Sequence, residues 1–248
     1  MTLRTDGIVI REQTTGEQDR LITVLTRENG VIRAFVNGGR NPKNKNVSST
    51  GLLCYSDFSV EKTKKDIYII KEATAKEVFF SLRDNIIDLS LAQYFAELTY
   101  ELAPREESAA EFLSLLLNSI YFITRGKKEL SLIKAATELR MLCLSGYMPN
   151  LVACNVCGAF ESEKMSFDVL TGELFCENCL SHKGAKVVPA SVIRAMRHIC
   201  LSPANKIYSF NLAKDSLSEL CYFSERYLKN VTMRKYKTLE FYKTMSGE

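Results

Sequence analysis

The sequence predicts an α+β chain: a small N-terminal β-barrel, then an α-helical domain with a four-cysteine zinc ribbon inserted in it. Three observations carry this reading. Short β-branched segments fill the first 80 residues, helical spacing takes over near Ser81, and "CNVCGAFESEKMSFDVLTGELFCENC" holds two C-x-x-C pairs 18 residues apart.

The candidate strands are "GIVIRE" (7–12), "DRLITVLTRE" (19–28), "GVIRAFVNG" (30–38), "LLCYSDFSVEKTK" (52–64) and "DIYIIKEATAKEVF" (66–79). Thr15-Gly16, Asn29-Gly30 and the segment 38–51 supply the turns. Five such segments with no helical pattern between them suit a small antiparallel barrel. An SH3-like barrel or a half-sandwich has the same signature.

Beyond Ser81, Ile87, Leu91, Tyr94, Phe95, Leu98 and Leu102 recur at helical spacing until Pro104 stops the run. A second helix is expected over 106–124, ending at Gly126, and a third over 130–144, ending at Gly146. Short connections between them predict antiparallel neighbours. After the cysteines, Val192, Ala195, Met196 and Ile199 suit a helix before Pro203, and Ser216 with Glu219 fits a capping box. Residues 234–245 read as a last helix. The expected domains are 1–80, 81–150, 151–184 for the ribbon, and 185–248 completing the helical part.

Two C-x-x-C pairs on tight turns can present four thiolates to one tetrahedral Zn²⁺, with Cys154, Cys157, Cys176 and Cys179 as ligands. Gly158 eases the first turn, and residues 170–173 suit a hairpin between the pairs. Four thiolates leave no open coordination position, so the zinc is expected to be structural. His182 is expected to be a surface histidine. Cys54, Cys143, Cys200 and Cys221 stand apart in apolar contexts and read as buried small hydrophobes.

The start of the chain lacks the apolar core of a signal peptide, and the apolar run 112–124 is short for a membrane span. A cytoplasmic protein with reduced thiols and no membrane partner is the expectation. Enzyme signatures are missing: there is no H-E-x-x-H, G-x-S-x-G, P-loop or zinc-deaminase pattern, and only two histidines. The net charge of +4 is mild, but it is uneven. No acidic residue lies between Glu28 and Asp57, where Arg33, Arg40, Lys43 and Lys45 alternate with Asn37, Asn41, Asn44 and Asn46 around Gly38-Gly39. Such a loop suits phosphate contacts: cations displace counterions, and Asn and Ser donate hydrogen bonds. A merely solvated basic hairpin is the alternative. Phe35, Tyr55, Phe58 and Tyr68 lie on or beside the strands, and rings in a small barrel are core more often than stacking platforms.

The stretch "GIVIREQTTGEQDRLITVLTRENGVIRAFVNGGRNPKNKN", the "CNVCG…FCENC" ribbon and the terminal "RYLKNVTMRKYKTLEFY" together resemble the RecO family of bacterial DNA repair proteins. The resemblance runs in order over nearly the whole chain. It implies an N-terminal OB-fold, a helical domain and a zinc ribbon. It further implies a recombination mediator without enzymatic turnover, associated with the nucleoid. Such a mediator binds and anneals single-stranded DNA, binds double-stranded DNA, and engages single-strand-binding protein. With RecR, and in some settings RecF, it helps RecA load onto covered strands. Arg33, Arg40, Lys43 and Lys45 are the expected phosphate contacts, with Arg20 and Arg4 as weaker candidates. The loop is richer in Asn than the family's Arg/Lys-dense version, so affinity should rest on fewer cations. A zinc-ribbon scaffold that binds only proteins is the alternative function, and a zinc hydrolase would need an open coordination position.

Overall fold

The computed structural model describes residues 2–63, 67–179 and 185–247. His182 lies outside the described residues. The chain forms two compact units, Met1–Thr124 with Tyr236–Glu248, and Arg125–Lys235.

In the first unit, β1 (Thr2–Thr15), β2 (Asp19–Thr26), β3 (Gly30–Val36), β4 (Tyr55–Lys62) and β5 (Tyr68–Glu77) close a barrel in the order β1-β2-β3-β5-β4. This is the OB arrangement. Strand β1 is long enough to pair with β4 through its first half and with β2 through its second, bending at an irregularity between Val9 and Arg11. Closure comes from a parallel pairing of β3 with β5 at Ala34 and Phe35. The strands' period-two alternation sends Ile22 and Val24, Ile32, Ala34 and Val36, and Phe58 and Val60 into one core. Gly7 is needed where β1 crosses β2, since a Cβ there would sit 2.6 Å from the Leu25 carbonyl oxygen.

A forked ion pair seals one side of the barrel. Arg27, just past β2, donates from Nε and Nη2 to the Asp6 carboxylate on β1, and the Tyr55 hydroxyl on β4 donates to the same group at 2.5 Å. Burial pushes the Asp6 carboxyl up, but the bonds from Arg27 and Tyr55 outweigh it and hold the group below its ordinary 3.8.

Helix α1 (Ile86–Leu102) is capped by the Asn85 side chain, which accepts from the Ile87 N–H at 2.9 Å. Helix α2 (Ala110–Arg125) begins four residues later than expected. The reason is tertiary: the Glu106 and Ala109 N–H groups donate to Asn29 and Arg27 carbonyls of the β2–β3 hairpin, and the Pro104 carbonyl accepts from Val31. The backbone groups that would have begun the helix are used by the barrel. Helix α6 (Lys237–Ser246) lies against α1, with Tyr94 and Tyr236 edge to face at 5.9 Å and Thr238 bonded to Glu97.

The second unit holds α3 (Leu130–Leu144), a small sheet of β6 (Asn150–Cys154), β7 (Met165–Asp168), β8 (Glu173–Cys176) and β9 (Lys186–Val188), and then α4 (Ala190–Leu201) and α5 (Lys214–Thr232). The sheet order is β6-β8-β7-β9. The close helix pairs are α1 with α6 and α3 with α5, which are far apart in the chain. The first three helices were expected to pack as antiparallel neighbours, whereas α1 packs with α6 and α3 with α5; the sequence neighbours α3 and α4, and α4 and α5, also touch. The capping box is also corrected. Helix α5 starts at Lys214 after Ala213, with Asp215 in its first turn, so Ser216 and Glu219 are already helical. The Ser216 hydroxyl bonds with Ser191, and Glu219 pairs with Lys186 at 3.0 Å. No described helix is long and apolar enough to cross a membrane.

Between α3 and α5 sits a buried ionic cluster. Lys134, 1% exposed, pairs with Glu138 at 3.0 Å and Glu225 at 3.1 Å, and Ser224 donates to Glu138. Removing one partner of such a cluster strands a buried charge. Lys134→Met is expected to cost about 3–5 kcal/mol in urea unfolding; a loss under about 1 kcal/mol would show that the carboxylates find water instead. For the barrel, the lowered Asp6 pKa means that its contribution is full above the ordinary carboxylate value and is lost as pH falls through the folded one. The stability gap between the wild type and Asp6→Asn should therefore stay level down to about pH 4 and close below it; a gap unchanged at about pH 2 would reject the linkage.

Candidate nucleic-acid interface and metal centre

The connection from β3 to β4 is held in place by the two residues that open β2. The Asp19 carboxylate accepts the Gly38 N–H at 2.7 Å, fixing the start of the loop. Arg20 fixes its end: Nη1 pairs with Glu12 at 2.7 Å, and Nη2 donates to Thr50 Oγ1 at 2.7 Å and to the Val47 carbonyl at 3.2 Å. Arg20 is only 8% exposed. Gly39 lies so near that a Cβ would sit 3.0 Å from Arg20 Nε. As a DNA contact, Arg20 is therefore corrected to a scaffold role, because its terminal donors are spent on the loop.

Three of the loop asparagines make hydrogen bonds that hold the loop. Asn41 and Asn44 accept the Lys43 and Asn46 N–H groups two residues on, Asn44 donates to the Asn37 carbonyl, and buried Asn46 accepts from Ala73 on β5. These contacts shape the turn, as Asx turns do elsewhere.

The remaining cations project outward. Lys43 is exposed. Arg40 is exposed and, among the described residues, its side chain donates only to the Glu17 carbonyl, from Nη1 at 3.1 Å. Lys45 pairs with Glu72 at 2.9 Å, but the two side chains are 71% and 62% exposed, so the pair adds little stability and opens readily. Arg40, Lys43 and Lys45 thus share one loop, while Arg33 stands on the outer face of β3. Arg4 is exposed on β1 beside an open groove of about 810 Å³ whose lining mixes Asp6, Glu28, Asp57 and Glu72 with Arg27 and Lys76. Of the rings, Phe58 is core, whereas Phe35, Tyr55 and Tyr68 are half-buried. Sequence reading missed Tyr100 and Arg105, which line a cleft together with Arg33 and Tyr68. Pro104 read only as a helix stop, and no local signal shows that the segment after it folds onto β3.

In the second unit, two knuckles bring four sulfurs together. Gly158, at φ +72°, lets its N–H reach the Cys154 carbonyl, and Cys179 N–H reaches the Cys176 carbonyl. The β7–β8 hairpin joins the pairs, with Met165 opposite Cys176 and the turn over residues 170–172 closed by Gly172 N–H to Asp168. Arg197 on α4 ties the first knuckle down, donating to the Leu151, Val152 and Phe160 carbonyls and lying 4.2 Å from the Phe160 ring centroid. The four Sγ atoms lie within 4.8 Å of one another, and those of Cys157 and Cys176 are 3.6 Å apart. Tetrahedral Zn–S bonds of about 2.3 Å place sulfurs about 3.8 Å apart, so the set fits zinc.

The electrostatics agree. Burial works against the Cys154 thiolate, yet N–H groups from Cys157, Cys176 and Val156 draw it down to about 6, while bonds from Cys157 and Cys176 push Cys179 up to about 12. Thiolates this close repel one another, which a cation between them would relieve. Cys143 and Cys200 are not isolated as expected, since their thiols meet between α3 and α4. Among the described residues, the four-cysteine group is the one assembled for a metal. Cys176→Ser should lower zinc content and the melting temperature of the ribbon's unit while sparing the barrel; full zinc retention would sink the ligand assignment.

Family models for the RecO N-terminal and C-terminal parts match residues 1–79 and 83–240. The chain is 33% identical to the DNA repair protein RecO of Acetivibrio thermocellus over 244 residues, covering 98% of this chain and 97% of that one. It is 30% identical to the protein of that name from Alkaliphilus metalliredigens over 72% of each chain. Against that of Desulforamulus reducens it is 26% identical, over 95% of this chain and 92% of the relative. With the barrel, the four-cysteine ribbon and these matches in agreement, the chain belongs to the RecO family of DNA repair proteins.

Proposed function

We propose that this RecO-family chain is a recombination mediator without turnover of its own, acting in the cytoplasm at the nucleoid. In this reading it binds single- and double-stranded DNA, anneals complementary strands, and helps RecA load onto strands covered by single-strand-binding protein. RecR, and in some settings RecF, are its partners, and the helical elements receive the proteins. The observation that carries the reading is the loop. It has no acidic residue of its own, and Arg40, Lys43 and Lys45 leave it toward solvent from a backbone held by Asp19 and Arg20.

The physical route to annealing is short. Two DNA strands repel through their phosphates, and cations on a fixed support replace condensed counterions on each. Phosphate contacts carry little sequence information, so preference among sequences should be slight. The four cysteines would hold zinc, which supplies folding energy to the ribbon. Arg33 on β3 extends the charged surface of the barrel.

A salt series with labelled oligonucleotides tests this. Replacing Arg40, Lys43 and Lys45 together with Gln should flatten the dependence of log affinity on log salt by about 2 units for a single strand, at roughly 0.7 per phosphate contact. An unchanged slope removes the loop from the DNA site. Negligible wild-type affinity at moderate salt would favour a scaffold that binds only proteins.

A further inference from the structure

Two thiols outside the metal group meet in the second unit. Cys143 lies on the last turn of α3 and is half-buried, and Cys200 lies on the last turn of α4 and is 5% exposed. Both are free, and they hydrogen-bond to each other. Arg140, one turn before Cys143, ties the two helix ends together, since its Nη1 donates to the Cys200 carbonyl at 2.6 Å. The ribbon lies between these cysteines in the chain: β6 follows α3, and β9 precedes α4. The pair therefore stands across the stem from which the ribbon leaves.

The two sulfurs are unequal. The bond from Cys200 holds the Cys143 thiol below its ordinary value against the effect of burial, and the Arg140 charge pulls the same way. That bond, and then burial, pushes the Cys200 thiol up. Arg140 also keeps a donor in reserve, because its Nε is buried without a hydrogen-bond partner among the described residues. An unspent charged donor one turn from a thiol favours the thiolate. Redox-sensitive cysteines share this pattern, with an accessible sulfur of thiolate character and a second sulfur beside it to resolve the oxidised form.

We propose that Cys143 and Cys200 form a redox site at which a hydroperoxide closes a reversible disulfide across the ribbon's stem. The Cys143 thiolate attacks the terminal oxygen of ROOH. The O–O bond breaks, a sulfenic acid forms, and the alkoxide leaves and takes up the proton that the thiol had lost. The Cys200 sulfur then attacks the sulfenic sulfur, the S–O bond breaks, and hydroxide leaves as water with the Cys200 proton. The two thiols give up two electrons, and the peroxide is reduced to ROH and water. A thiol reductant reverses the bond by exchange. Helices α3 and α4 already pack together, so the bond closes between sulfurs in contact. Once closed, it joins the two ends of the stem whether or not the ribbon's own sulfurs hold a metal.

The test treats the full chain, reduced and zinc-loaded, with hydrogen peroxide, blocks the remaining thiols, and maps disulfides by mass spectrometry. A peptide joining Cys143 to Cys200 is expected, and dithiothreitol should abolish it. Cys200→Ala should instead leave a sulfenic acid on Cys143 that a dione reagent traps, and Cys143→Ala should leave Cys200 unmodified. After a chelator removes the metal, oxidation should raise the melting temperature more in the wild type than in Cys200→Ala, whose ribbon sulfurs are the same. An equal rise in both overturns the clamp. Disulfides confined to Cys154, Cys157, Cys176 and Cys179, or Cys143 and Cys200 still open to alkylation after peroxide, overturn the site. The map is made on the wild-type chain, so it decides even where a variant misfolds.

Discussion

The guanidinium of Arg20 sits under the long connection between β3 and β4, donating to Thr50 and Val47 there and to Glu12 on β1. With Asp19 holding Gly38, it gives an exposed loop a fixed base. The charged surface above depends on this support, because a phosphate gains little from a cation that must first be ordered. Deleting Arg20 would cost more than a charge. It would remove the partner of the Glu12 carboxylate and one partner of the buried Thr50 hydroxyl, and leave the end of the loop without its anchor.

The molecule divides its cations into those used internally and those left outside. Arg20, Arg27, Lys134 and Arg197 are bound to carboxylates or carbonyls and hold elements together. Arg33, Arg40, Lys43 and Arg105 have no carboxylate partner among the described residues. A net charge of +4 hides this division, since paired cations contribute to the sum and little to recognition.

The ribbon answers a different problem. Its strands run to only three to five residues and cannot bury enough apolar surface alone. The Arg197 bonds to three carbonyls and the packing of Phe167 against Phe223 and Tyr227 supply part of the missing core, and the clustered sulfurs would supply more by holding a metal. Gly172 belongs to the same packing, since its turn lies where any Cβ would meet the Tyr227 hydroxyl at 2.8 Å.

Local pattern was enough for the five strands, for most helix ends and for the clustering of the four cysteines, because each depends on periodicity or spacing within a short window. Phe58 and Val60 alternate with Ser59 whatever surrounds them, and C-x-x-C brings two thiols together on any tight turn. Tertiary structure decided what each polar side chain does. Arg20 and Arg40 look alike in sequence, yet one is enclosed by Glu12 and Thr50 and the other meets water. Asn44 read as a donor for a ligand, but its amide donates to the Asn37 carbonyl and accepts from the Asn46 N–H. Tyr100 and Arg105 gained meaning only when Pro104 docked on Gly30, a contact between residues more than seventy positions apart that no local window contains. The fate of a charge or a ring is set by what lies within a few ångströms of it, and chain folding, not sequence neighbourhood, chooses those atoms.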